Sequence, residues 1–174
     1  MKTALFPGRF QPFHKGHLKV IQDVLKDNDQ IIIMLGSAQH SHKLGHPLTI
    51  EERKTLIIAA LKEANISEKN YQIIAVEDIN DYPNWVSHIS YKLPKFDYVY
   101  TGSDAVKECF RLAKKENKVI DVPREEIPIS ATEIRKRILN NEDWEELVPK
   151  AVEKLLKKWD ISSRIKKISK PSSK

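Results

Sequence analysis

The chain has a single cysteine, Cys109. A lone thiol excludes an intrachain disulfide and cannot by itself build a thiolate metal site. Its spacing within an apolar stripe reads as a small core residue. No apolar run approaches the ~20 residues that a bilayer-spanning helix requires, so no membrane association is expected. The start, Met1-Lys2-Thr3, leads directly into a short strand-like run. It lacks the longer apolar stretch and small-residue cleavage site of a signal peptide, and a cytosolic protein is expected. Neither a Walker loop nor a GxGxxG fingerprint is present. The net charge of +6 is also missing from most of the chain. Residues 157–174 hold seven basic side chains and one acid, Asp160, which accounts for the whole excess and leaves residues 1–156 formally neutral. A neutral body is a poor polyanion surface, so nucleic acid is not expected as the partner. From about Ser162 the sequence is low in complexity and reads as a solvated basic tail.

What is present is an ordinary globular composition, 174 residues with 40% hydrophobic and 31% charged, enough for one domain with a core. That domain is expected over residues 1–158, followed by a basic tail over 159–174. Residues 2–6 read as a buried strand, and 16–26 as a helix with Leu18, Ile21, Val24 and Leu25 on one face. The run QIIIML (30–35) reads as a strand covered on both faces. LTIEERKTLIIAALKEA (48–64) is helical, with Thr49 as N-cap and Glu52 completing a capping box. Strands follow at 71–78, 97–102 and 118–123. Helices are expected at 84–93, from Ser103 or Asp104 to about Asn117, from Ser130 or Thr132 onward, and over 144–159 with a break or start at Pro149. Strands and helices alternate five times, which predicts βαβ units and a mostly parallel sheet. Ligands of such sheets bind beyond the carboxyl ends of the strands, where strand order reverses.

The segments after the strands are therefore the informative ones. After the first strand stands Gly8-Arg9-Phe10-Gln11-Pro12-Phe13-His14-Lys15-Gly16-His17. Gly8 permits close backbone approach, and the helix start offers free N–H groups to an anion. His14 and His17 are three apart, on one side of the first turn. Each can donate to a phosphate oxygen without being a permanent cation. A bare HxxH reads first as two surface histidines; the flanking Gly8, Arg9 and Gly16 behind a strand reverse that preference towards a phosphate. After the second strand, His40, His42 and His46 have no nearby carboxylate or cysteine, and a phosphate-facing or solvated loop is expected in preference to a metal site. After the third strand come Asp78, Asn80 and Asp81, then Trp85, which suits a core position and a stacking platform equally. Thr101-Gly102-Ser103-Asp104 opens a helix after the fourth. Ser130 and Thr132 stand at a later helix start with Arg135 on the same face, which suits a phosphate, though alone the stretch reads as a capping box followed by a solvated basic face.

Two of these segments are specific when taken together. GRFQPFHKGH (8–17) carries the HxGH signature of the nucleotidyltransferase superfamily, and ISATEIR (129–135) is similar to its ISSTxxR signature. The first form resembles in particular the archaeal-type nicotinamide-nucleotide adenylyltransferases. GSAQ, EERKTLI, WVSHI and VYTGSDAV agree, so that the resemblance covers roughly residues 3–150. It implies a Rossmann-like α/β fold, with a central parallel sheet of five to six strands and helices on both faces. It implies transfer of AMP from ATP to nicotinamide mononucleotide, giving NAD and pyrophosphate by in-line attack of the 5′-phosphate on the α-phosphate. Mg2+ is expected to travel with ATP, held by phosphate oxygens and water, and a homo-oligomer is expected. Catalytic roles fall to His14, His17 and Arg135. ATP contacts fall to Gly8, Arg9, Phe10, His14, His17, Gly102, Asp104, Ser130, Thr132 and Arg135. Phe13, Ser37, Asp78, Ile79 and Trp85 are assigned to the nicotinamide nucleotide.

The chain departs from the family pattern twice. Ala131 replaces the middle Ser or Gly of the second signature, with little consequence expected. Gly45-His46-Pro47 stands where relatives often carry a basic residue before Asp-Pro or Asn-Pro. If that charge matters, Lys43 or His46 must supply it, and histidine would bring a pH dependence between about 6 and 7. Rival readings are a transferase for another phosphate acceptor (FMN or pantetheine phosphate, or with CTP as donor) and an inactive nucleotide-sensing or RNA-binding relative. Trp85 argues against the first, and two intact signatures argue against the second.

Overall fold

The computed structural model describes residues 1–122 and 128–170. Its elements are β1 (Thr3–Gly8), α1 (Lys15–Asp27), β2 (Gln30–Leu35), α2 (Ile50–Glu63), β3 (Tyr71–Ala75), α3 (Tyr82–Lys92), β4 (Tyr98–Thr101), α4 (Asp104–Leu112), β5 (Val119–Asp121), α5 (Ala131–Asn140), α6 (Lys150–Lys158) and α7 (Ile161–Ser169). The chain divides into two compact units, residues 1–8, 20–39 and 68–127, and residues 9–19, 40–67 and 128–174. The polypeptide leaves and re-enters each unit.

The first unit holds the whole sheet. All pairings are parallel, in the order β3-β2-β1-β4-β5. The chain moves outward through β1, β2 and β3, then resumes beside β1, so strand order reverses between β1 and β4. The carboxyl ends there are Gly8 and Thr101, and they mark the ligand-binding edge of such a sheet. Ile31–Leu35 are fully buried or nearly so, which explains why β2 reads as an unbroken apolar run rather than an alternating one. A core of Leu5, Ile32, Met34, Val86, Ile89, Phe96, Val99 and Phe110 joins the strands to α3 and α4. Cys109 is buried in it. β3 stops at Ala75; Val76 still donates to the Leu35 carbonyl, but its own carbonyl accepts from Ala38 in the loop after β2. α4 ends at Leu112, five residues short of expectation, and a 3-10 turn over 116–118 leads into β5.

The second unit is helical. Thr49 and Glu52 form the expected capping box at the start of α2. α6 begins after Pro149, which suits a residue whose missing N–H costs nothing at a helix start. The solvated tail expected from Ser162 is replaced by α7. Ile161 and Ile165 are 3% exposed, Asp160 caps the helix by accepting from the Ser163 N–H, and Arg164 binds both carboxylate oxygens of Glu52 at 2.7 and 2.8 Å. Apolar residues spaced four apart make this basic segment an amphipathic helix. Among the described residues no helix is long and apolar enough to cross a membrane.

Candidate active site

The second unit holds His14, His17, Arg9, Arg53 and Arg135. His14 and His17 bracket the first turn of α1. The backbone N–H of His14 donates to His17 Nδ1 at 3.2 Å, and that of His17 donates to His14 Nδ1 at 3.3 Å. A helix start leaves such N–H groups without partners in the helix, and each ring caps the other residue's. Because both Nδ1 atoms accept, each neutral ring carries its proton on Nε2. The rings stack with centroids 3.5 Å apart. His17 lies edge-on to Phe10 at 4.7 Å and against Phe13 at 5.4 Å. Burial holds His14 down to about 4. Burial and the neighbouring His14 hold His17 well below 6.5. The pair is therefore uncharged at neutral pH.

Phe10 and Phe13 are 1% and 0% exposed, and their rings lie against His17, so they support the imidazole. Phe10 adopts φ 50, a left-handed conformation unusual for a bulky residue and characteristic of functional loops.

Arg135 reaches back from α5. It donates to the Gln11 carbonyl at 2.7 Å and to Thr132 Oγ1 at 3.2 Å. Ser130 Oγ accepts from the Glu133 N–H at 3.1 Å, so it is the N-cap of α5. Gln11 clamps a third segment: its amide donates to the Leu48 carbonyl and accepts from the Leu48 N–H, at 3.0 and 2.9 Å. Arg53, wholly buried, donates to the Arg9 carbonyl at 3.0 Å. Sequence reasoning missed Arg53 and Gln11. The signal for each was its place in a stretch that carries the resemblance, Gln11 in GRFQPFHKGH and Arg53 in EERKTLI.

In the first unit, Gly8 and Gly36 meet at the strand ends, the Gly36 N–H donating to the Gly8 carbonyl at 2.9 Å. Asp78 binds the Ser37 hydroxyl and the Ser37 N–H. Gln39 holds the Asp78 backbone from both sides, at 3.0 and 3.1 Å. Ile79 follows, 37% exposed, and Asp81 caps α3. Trp85 is half-buried, edge-on to Phe110 at 6.4 Å, so it shares the character of core residue and surface platform. Ser103 caps α4 only by position, without a side-chain bond; its N–H donates to Thr101 Oγ1 at 3.0 Å. Gly102 is half-buried, and Asp104 is exposed, facing Lys107 at 3.8 Å.

Among the described residues no group of three or more His, Cys, Asp or Glu could hold a metal ion. The histidine pair with Arg9, Arg53 and Arg135 is a set of nitrogen donors, suited to oxyanions.

Residues 5–137 match the family described as cytidylyltransferase-like. The chain is 42% identical to the nicotinamide-nucleotide adenylyltransferase of Thermococcus kodakarensis, covering 97% of this chain and 89% of that protein. It is 42% identical to that of Methanococcus aeolicus, covering 95% and 94%. Among solved structures, it resembles a bifunctional NMN adenylyltransferase/ADP ribose pyrophosphatase from Francisella tularensis with TM-score 0.76 and 24% identity. That match covers 95% of this chain and 52% of the other, so the chain spans about half the bifunctional protein's length.

Proposed function

Because the chain belongs to the cytidylyltransferase-like family, and within it to the nicotinamide-nucleotide adenylyltransferases, we propose that it transfers AMP from magnesium ATP to nicotinamide mononucleotide, forming NAD and pyrophosphate. The observation that carries this reading is the reciprocal His14–His17 arrangement. It directs the ring proton of each histidine to Nε2, at the start of a helix whose N–H groups favour an anion. The mononucleotide's 5′-phosphate oxygen attacks the α-phosphorus, and the bond from that phosphorus to the β-phosphate oxygen breaks. The reaction needs no covalent enzyme intermediate. The protein's contribution is positioning and stabilisation of charge as it builds on the phosphate oxygens.

Neutral imidazoles suit this task. They donate hydrogen bonds to the α-phosphate without holding the product as strongly as two fixed cations would. Arg135 and Arg9, with Thr132 and the N-terminus of α5, take the β- and γ-phosphates and stabilise departing pyrophosphate. Ser130 sets the direction of that helix start. Gly8, Gly102 and Asp104 border the adenosine. Ser37, Asp78, Ile79 and Trp85 take the nicotinamide nucleotide, with Asp78 held rigid by Ser37 and Gln39. The divalent ion arrives on the triphosphate, coordinated by phosphate oxygens and water. The protein is read as a cytosolic homo-oligomer.

Pyrophosphate release from magnesium ATP is the test, with nicotinamide mononucleotide, its acid form, FMN and pantetheine phosphate offered separately. Release with the nicotinamide nucleotide, abolished in His17→Ala, is expected. Release only with FMN or pantetheine phosphate would overturn the substrate assignment and leave the transfer chemistry standing.

A further inference from the structure

Gln11 stands inside the first signature, directly after the left-handed Phe10, and is 1% exposed. A buried amide is costly unless its donor and its acceptor both find partners. Gln11 finds both on one residue. Nε2 donates to the Leu48 carbonyl at 3.0 Å, and Oε1 accepts from the Leu48 N–H at 2.9 Å. One backbone donor beside one backbone acceptor allows the amide a single orientation. Two bonds to the same residue fix both the spacing and the angle between segments 37 positions apart.

The segment that Gln11 grips is itself held on both sides. Pro47, before Leu48, accepts at its carbonyl from Arg164 at 3.3 Å. Thr49, after it, is the N-cap of α2 and is locked into the capping box with Glu52. Leu48 is wholly buried between them. A buried polar network with its members satisfied is rigid, so the grip is on a firm anchor.

On its backbone side Gln11 carries Arg135. The Gln11 carbonyl accepts from Arg135 Nη1 at 2.7 Å, while Nη2 of the same guanidinium donates to Thr132 Oγ1 at 3.2 Å. Thr132 belongs to the arginine's own helix. The bond to Gln11 is the one that ties the guanidinium to the loop leading into His14. A long side chain with a loose end loses rotamer freedom when it binds a ligand, and one already pinned does not.

We propose that Gln11 is a positioning residue of the adenylyl-transfer site: its amide fixes the loop backbone against Leu48, so that its carbonyl holds Arg135 in place before the phosphates arrive. The proposal rests on the proposed function for the phosphate role of Arg135 and for ATP as the ligand; the chain of hydrogen bonds does not. Filling the buried volume alone would need no amide. A displacement of about 1 Å in a group that binds the reacting phosphates is enough for a loss of about a hundredfold.

Gln11→Met fills the same volume and cannot grip Leu48. In steady-state kinetics it is expected to lower kcat/KM for magnesium ATP roughly tenfold to a hundredfold and to leave KM for nicotinamide mononucleotide unchanged. Calorimetric affinity for inorganic tripolyphosphate is then measured in wild type, Gln11→Met, Arg135→Ala and the double variant. With Arg135 present, Gln11→Met should weaken binding about tenfold, the effect of one charged hydrogen bond lost from its place. With alanine at 135 there is no guanidinium to place, and the same substitution should change little. Unchanged ATP parameters in a folded Gln11→Met, or an equal loss of affinity with and without Arg135, overturns the proposal and leaves Gln11 a packing residue. If Gln11→Met does not fold, Gln11→Asn, which keeps an amide one methylene short of Leu48, replaces it in both comparisons. An Arg135-dependent loss of tripolyphosphate affinity in a protein that makes no NAD would uphold this inference and refute the proposed function. NAD synthesis with an Arg135-independent loss would do the reverse.

Discussion

His14 and His17 each donate a backbone N–H to the other's Nδ1, at 3.2 and 3.3 Å. That reciprocity needs both rings unprotonated on Nδ1, so acid attacks it directly. His14 titrates near 4 in the folded state because it is buried, against an ordinary 6.5. The unfolded chain therefore binds protons more readily across this interval. Stability is complete above 6.5 and falls as pH drops towards 4, by roughly 3 kcal/mol for His14 alone. Urea midpoints at pH 7.5 and 4.5 measure the loss. His14→Asn keeps an acceptor oxygen that does not titrate, and its midpoints should converge; an unchanged difference would show that other groups dominate.

Arg135 binds the Gln11 carbonyl and Thr132 Oγ1 with two nitrogens of one planar fork. Lysine carries the charge without the fork. Arg135→Lys is therefore expected to raise KM for ATP and lower kcat/KM by roughly tenfold to a hundredfold, in line with about 1.5–3 kcal/mol for a charged hydrogen bond. Burial and Arg9 depress the Arg135 guanidinium, so Arg9→Ala should partly relieve Arg135 while removing a phosphate contact. Steady-state kinetics of the two single variants and the double variant separate these effects: losses smaller than additive are expected.

How much of this was legible in the sequence follows from locality. The five strands and the Thr49–Glu52 capping box depend on neighbours in sequence, and their patterns survive into the fold. The two signatures pointed to His14, His17 and Arg135 because each lies at an element start where side chains replace missing backbone partners. What failed was nonlocal. The burial of Phe10 and Phe13 against His17 is a contact the sequence does not announce, because both stand in a loop. The tail read as solvated because its lysines dominate the composition, while Ile161 and Ile165, four apart, were the signal of a packed face. Arg53 lay inside EERKTLI, but its bond to the Arg9 carbonyl joins residues 44 apart in sequence and cannot be read from local spacing.

Gly45 has φ +86 and nothing within 4 Å of the position its Cβ would take. A side chain there costs backbone strain without a steric clash, so Gly45→Ala should destabilise by about 1 kcal/mol. Gly45→Lys should cost the same and add a fixed charge at the histidine loop. A KM for ATP lower in Gly45→Lys than in Gly45→Ala, with equal thermal midpoints, is the expected result. Equal KM values would show that charge at this position does not reach the phosphates.

Trp85 packs edge-on to Phe110 at 6.4 Å while remaining half-buried. Two roles share one ring, and different variants separate them. Trp85→Ala should cost roughly 2 kcal/mol of stability, below the value for a fully buried aromatic, and should also raise KM for nicotinamide mononucleotide. Phe110→Leu should lower stability and leave that KM nearly unchanged. If both variants move KM equally, Trp85 acts through packing alone and is not a stacking surface.

Arg164 and Glu52 form a fork-to-carboxylate pair that is about 20% exposed on each side, and Arg164 also donates to the Pro47 carbonyl at 3.3 Å. Burial alone would raise Glu52; the hydrogen bond from Arg164 and the backbone bond from Thr49 outweigh it and hold the carboxylate below its ordinary 4.5. A depressed carboxylate stabilises the fold above its unfolded value and loses that contribution as pH falls through the folded one. Arg164→Ala should therefore destabilise by about 2 kcal/mol at pH 7 and by less at pH 4, as Glu52 protonates in both proteins. Urea midpoints of wild type and Arg164→Ala at pH 7 and pH 4 measure the two losses. An equal loss at both values would show that the charge of Glu52 contributes nothing and that Arg164 fastens α7 through its bond to the Pro47 carbonyl and its packing alone.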